Sequence, residues 1–205
     1  MAAPYATVDE FKAWITLTDF VDDAVISDAL TAASRAIDKF CKTHFWQTAP
    51  GTNRLFDAND SWNLRINDAA AVTAVASDLD QDGTYETVWA AGDFQLLPLN
   101  PDFAPETLPF NQIVAVGTKT FPSATRRQGL IRVTGTWGWP SVPEAAFQAT
   151  LLMTNRLIKR RRSPEGVAGF DQFGEVRISK NEDPDAVRLL EPYKTTWRQG
   201  GWAFA

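Results

Sequence analysis

The residues best equipped for chemistry in this chain are the three carboxylates of Asp78-Leu-Asp-Gln-Asp-Gly83. Acidic groups at alternate positions followed by a glycine open the loops that wrap calcium, because a hard cation takes several oxygen ligands and the glycine permits the sharp turn. Counting from Asp78, the twelfth position, where such a loop places a bidentate glutamate, is Trp89. With an indole in place of that ligand, Asp78, Asp80 and Asp82 are weak metal candidates. The plainer expectation is a hairpin turn built from Asp and Gly. Neither a metal nor a cofactor is expected.

The remaining reactive groups stand apart from one another. His44 is the only histidine, so a histidine metal cluster or a Ser-His-Asp triad would depend on it alone. It follows the stripe of a helix beside Phe45 and Trp46, which points to a structural role. The single cysteine, Cys41, excludes an internal disulfide and a cysteine-based zinc site, and reads as a small buried thiol. With no Gly-x-Ser-x-Gly turn and no coherent set of nucleophile, base and metal, the chain is not expected to be an enzyme. Two basic clusters, Arg126-Arg127 and Lys159–Arg162, could touch phosphate, but the formal net charge of −5 argues against a general nucleic-acid binder.

At 205 residues and 44% hydrophobic, the chain can bury a real core as one domain, or one domain carrying an insertion. No apolar run approaches the roughly 20 residues needed to span a bilayer, and Met1-Ala-Ala-Pro-Tyr-Ala-Thr lacks the features of a secretory signal. The expectation is synthesis in the cytoplasm with no membrane partner.

The elements that must position these groups follow from the changing period of the pattern. Thr7 and Glu10 form a capping box that opens a short helix with Val8, Phe11, Trp14 and Ile15 on one face. Asp22 or Asp23 starts a longer helix, with Ile26, Leu30, Ala33, Ile37, Phe40 and His44 about one turn apart. From Gln47 to Gly138 turn residues punctuate β-rich pieces at 71–77, 85–89, 94–97, 113–117 and 130–137. Ser141 and Glu144 at capping-box spacing then begin a helix whose basic end, Lys159–Arg162, suits the negative pole of a helix dipole. A Gly-rich loop at 166–174, a strand at 175–179 and a last helix capped by Asp183, with Val187, Leu190 and Tyr193 inward, complete the chain. The predicted fold is α+β: a small helical bundle of N- and C-terminal helices (1–46 and 139–205) with an inserted, antiparallel β-rich subdomain (47–138).

Taken together and in order, Tyr5–Trp14, Ala32–Cys41, the Val133–Pro143 strand-to-helix passage, Ser163–Phe170 and Asp183–Tyr193 resemble the head–tail connector, or adaptor, proteins of long-tailed bacteriophages. The resemblance spans most of the chain and rests on collinearity rather than on one diagnostic motif. It implies a structural virion protein of the neck: a ring, commonly of twelve copies, under the portal protein, with a stopper or tail-completion protein below and DNA passing through the lumen without specific binding. Acidic residues suit such a conduit because they repel phosphate, and a ring needs one patch to meet a different patch on the next copy. Asp22 and Asp23 on one side, and Arg156, Lys159, Arg160, Arg161 and Arg162 on the other, are the subunit-interface candidates. The resemblance further implies portal docking through the C-terminal segment, with Leu190, Tyr193 and Trp197 as candidates, Trp197 being one of eight tryptophans. The alternative is a calcium-assisted β-type binding module on a helical scaffold.

Overall fold

A computed structural model describes residues 2–15, 22–103, 106–162, 167–171, 174–177 and 183–194. The chain divides into two compact units, 1–43 with 142–205, and 44–141.

The first unit is helical. α1 (Val8–Ile15) opens with the expected reciprocal cap: the Thr7 N–H donates to Glu10 Oε2 at 2.7 Å, and the Glu10 N–H to Thr7 Oγ1 at 3.3 Å. α2 (Asp23–Cys41) begins at Asp22, whose side chain accepts from the Ala24 N–H at 3.0 Å, and stops at Lys42, which takes a left-handed conformation. α3 (Glu144–Arg162) packs against α2, and α4 (Pro184–Leu190), capped by Asp183, packs against α3. The core joins Phe11 of α1, Ile26 and Leu30 of α2, and Leu151 and Ile158 of α3, all at helical spacing on their inward faces. Ala186 and Leu190 are the buried residues of α4. Between α3 and α4, β7 (Val167–Asp171) and β8 (Gly174–Arg177) form a two-stranded antiparallel sheet. Much of the segment expected to be a Gly-rich loop is therefore strand.

The second unit is a six-stranded antiparallel sheet: β1 (Thr52–Phe56), β2 (Asn63–Ser77), β3 (Thr87–Val88), β4 (Phe94–Leu97), β5 (Phe110–Ala115) and β6 (Ile131–Trp137). Its order is β1-β6-β2-β5-β4, with β3 also on β2. The 15-residue β2 serves both halves, pairing with β5 through its first part and with β6 through its second. Leu64, Ile66, Val75, Ile113, Ile131, Val133 and Trp137 fill the core. Trp137 is fully buried, its indole N–H donates to the Thr52 carbonyl at 2.8 Å, and the Arg54 guanidinium lies 4.7 Å from its ring. Gly135 is required by close backbone approach, since a Cβ there would stand 2.3 Å from the Ala71 carbonyl oxygen.

Candidate functional site

The carboxylate turn lies between β2 and β3. Asp78 is completely buried. Its Oδ1 accepts from the N–H groups of Gln81 at 2.7 Å and Asp82 at 3.2 Å, and its Oδ2 from the Gly83 N–H at 2.8 Å. One side chain thus satisfies three backbone donors, which offsets the cost of burying its oxygens. Gly83 has φ +103 and Gln81 φ +65, the left-handed conformations such a turn needs. The Gln81 amide then grips the next loop: its Oε1 accepts from the Arg126 N–H at 2.9 Å, and its Nε2 donates to Thr125 Oγ1 at 2.9 Å. Arg127 donates to the Asp82 carbonyl at 3.1 Å and lies so close over Gly83 that a Cβ there would meet its Nη1 at 2.3 Å.

Ligand oxygens of Asp78, Asp80, Asp82 and Glu86 lie within 4.8 Å of one another. Glu86 was not among the sequence candidates, although it occupies the ninth position of the same loop count, where a calcium loop contributes through water. The twelfth residue, Trp89, is committed to the core, stacked on Phe121 at 4.7 Å with its indole N–H donating to Ser77 Oγ. Within the cluster, the Thr84 N–H bonded to Asp82 holds that carboxyl below the usual carboxylate range. Asp80 accepts from the Asp82 N–H, which lowers its pKa, but lost hydration and the charges of Asp82 and Glu86 outweigh this and raise it. The geometry favours a self-satisfied turn that clamps a neighbouring loop.

His44 lies beyond the end of α2, not on its stripe, because the helix closes at Lys42. Its ring stacks on Trp46 at 4.2 Å, with Nδ1 2.9 Å from the Trp46 carbonyl oxygen. Cys41 is buried at the last turn of α2; burial, reinforced by the nearby Asp38 charge, pushes its thiol up to about 12.

The interface candidates are partly engaged within the chain. Asp22 caps α2, and Asp23 forms an ion pair with Lys12 of α1, both acids remaining exposed. Arg156 approaches Asp183, the cap of α4, at 3.8 Å with little side-chain exposure, so this arginine ties α3 to α4. Lys159, Arg160 and Arg161 are exposed at the end of α3. Leu190, expected to dock a partner, is buried at 2% exposure because it is the inward residue of α4; Leu189 and half-buried Tyr193 are the residues near the surface there. Trp197 lies outside the described residues. No helix among the described residues is long and apolar enough to cross a membrane.

Solved structures of similar fold exist. One is a chain from the neck of an empty gene transfer agent (GTA) particle computed with C6 symmetry, with a TM-score of 0.56 and 22% identity, covering 96% of this chain and 93% of that one. A second belongs to the virion of the native GTA particle, with a TM-score of 0.57 and 24% identity over 98% and 96%. A third comes from the neck of the native GTA particle computed with C12 symmetry, with a TM-score of 0.53 and 21% identity over 98% of both chains. The α+β fold expected from the sequence is therefore shared, over nearly its whole length, with chains of particle necks. No family model and no curated protein matches this chain.

Proposed function

We propose that this chain is a structural protein of the head–tail neck of a tailed, phage-like particle, a connector that forms a ring beneath the portal and continues the DNA channel towards the tail. The observation that carries the reading is the fold shared end to end with chains of GTA necks. C12 symmetry in one of those necks makes twelve copies the ring number we favour. Surface charge supports the same reading: exposed Asp9, Glu10, Asp22, Asp23 and Asp28 lie on α1, α2 and their caps, while exposed Lys159, Arg160 and Arg161 end α3. One acidic and one basic patch per copy is what a heterologous, closing interface requires. The net charge of −5 suits a channel that must release DNA.

Portal docking falls to the C-terminal end, through Leu189, Tyr193 and the sequence after Lys194 that contains Trp197. The test is to mix purified chain with portal rings and examine the product by electron microscopy, beside a truncation after Lys194. The full chain is expected to add a ring coaxial with the portal, and the truncated chain to keep its circular dichroism spectrum but no longer sediment with portal. Absence of any ring on portal from the full chain would remove the reading.

A further inference from the structure

Among the described residues, the sheet formed by β7 and β8 has two strands, paired Phe170 with Glu175 and Asp171 with Gly174 near its tip and Val167 with Arg177 at its base. An isolated two-stranded hairpin is marginally stable at best, and a third strand or a packed face is what stabilises it. Open strand edges are usually blunted with proline, lysine or a cover. The stretch from Val167 to Arg177 contains neither proline nor lysine. Among the described residues no other strand pairs with either edge, although the register shifts between Val167 and Phe170.

We propose that these edges pair with the same hairpin on adjacent copies, β8 of one against β7 of the next, so that the ring carries a continuous antiparallel β-collar. The proposal rests on the ring reading above. A second copy is the occupant that fits, for a geometric reason. Rotation about a ring axis preserves the direction of each strand, so β8 and the next copy's β7 run antiparallel without any reversal, and the ladder continues head to tail until it closes. Closure leaves no edge. Size agrees with the role: twelve copies give 24 strands about 4.8 Å apart, hence an opening about 37 Å across between backbones, wider still with strand tilt. Six copies would give about 18 Å by the same spacing, too narrow for a duplex once side chains are counted. Asp171 and Glu175 against Arg177 leave each hairpin slightly acidic, so the collar would not grip phosphate.

The test uses two variants assembled together, each with one added cysteine, one in β7 and the other in β8, scanned over 167–171 against 174–177. The native Cys41 is buried with its thiol pushed up to about 12, so it stays silent. Paired strands bring facing Cβ atoms to about 5 Å, close enough for a disulfide after small adjustment, whereas β7 to the next β7 is two strand spacings away. The expected result is a disulfide-linked mixed dimer as the major product in at least one pairing, formed only in assembled rings. Rings of full mass with no mixed dimer at any pairing would overturn the collar and leave the ring reading intact. Homodimers from the β8 variant alone would overturn it in favour of two-fold pairing, and failure to form any ring would sink both readings together.

Discussion

Replacing Asp78 with Ala removes the acceptor for three backbone N–H groups at once, those of Gln81, Asp82 and Gly83. Hydrogen bonds to a charged group contribute about 1.5–3 kcal/mol each, but the three share one carboxylate and are not additive. Asp82 is exposed, so water can replace its bond; Gln81 and Gly83 are half-buried and lose more. A net destabilisation of about 3 kcal/mol follows, and with a urea dependence of about 2 kcal/mol/M the midpoint should fall by about 1.5 M. The assay is urea unfolding followed by tryptophan fluorescence, since Trp89 and Trp137 are both buried in the affected unit. Asp78→Asn should be nearly as damaging, because it keeps one acceptor oxygen and turns an NH2 group towards a backbone donor. Asp80→Ala is the control: that carboxylate is exposed, its backbone bond is a 3.3 Å one to the Asp82 N–H, and its loss should move the midpoint far less than Asp78→Ala. A midpoint for Asp78→Ala within about 0.3 M of wild type would refute the claim that this carboxylate holds the turn.

Calcium at about 1 mM should leave the melting temperature unchanged, as Asp78 already accepts from three backbone donors and Trp89 replaces the bidentate ligand; a rise that Asp80→Ala with Asp82→Ala abolishes would reinstate a metal site. Replacing Arg160, Arg161 and Arg162 with Glu should leave circular dichroism intact and abolish rings on portal, read by electron microscopy; rings that persist would acquit this patch. The Thr7 bonds lower the Glu10 pKa, so its carboxylate stabilises α1 above its ordinary value of 4.5 and loses that effect as pH falls through the lower folded value. The difference in melting temperature between wild type and Glu10→Gln should accordingly be present at pH 7 and vanish on acidification well below 4.5; a difference constant with pH would mean the charge is idle.

What could be read from sequence was what local chemistry decides. Thr7 with Glu10, Asp22 and Asp183 each mark a helix start because the bonds they make lie within three residues. β6 and β4 were legible from composition and alternation. β1 was not, because Thr52-Asn-Arg-Leu-Phe56 has little apolar alternation and is a strand only by pairing with β6, some 80 residues on by the register of Thr52 with Gly135. β2 begins at Asn63, well before the apolar run that announced it, for the same reason: β5 supplies its partner. His44 was misjudged because helical spacing continues in the sequence after the left-handed Lys42 has ended the helix. Leu190 was read both as an inward residue of the last helix and as a docking residue, and it is buried in its own bundle. Glu86 is not singled out by the alternating acidic spacing of Asp78, Asp80 and Asp82, because the fold, not the spacing, decides which carboxylates converge.

The division of the chain has a consequence for the order of events during synthesis. The β unit is one uninterrupted segment, 44–141, while the helical unit is assembled from 1–43 and everything after 141. α2 meets α3 only after the whole β unit has been made, and loop-closure entropy then depends on whether that intervening segment is a loose coil or already folded. If the sheet condenses first, the long excursion shrinks to the separation of its two ends, and the bundle closes at the speed of a short loop. In that order of events, once the strands from β1 to β6 have left the ribosome, the nascent chain holds a finished module tethered to an unfinished one, with Phe11, Ile26 and Leu30 waiting for Leu151 and Ile158. This apolar face stands open for at least the time needed to translate the chain as far as Ile158.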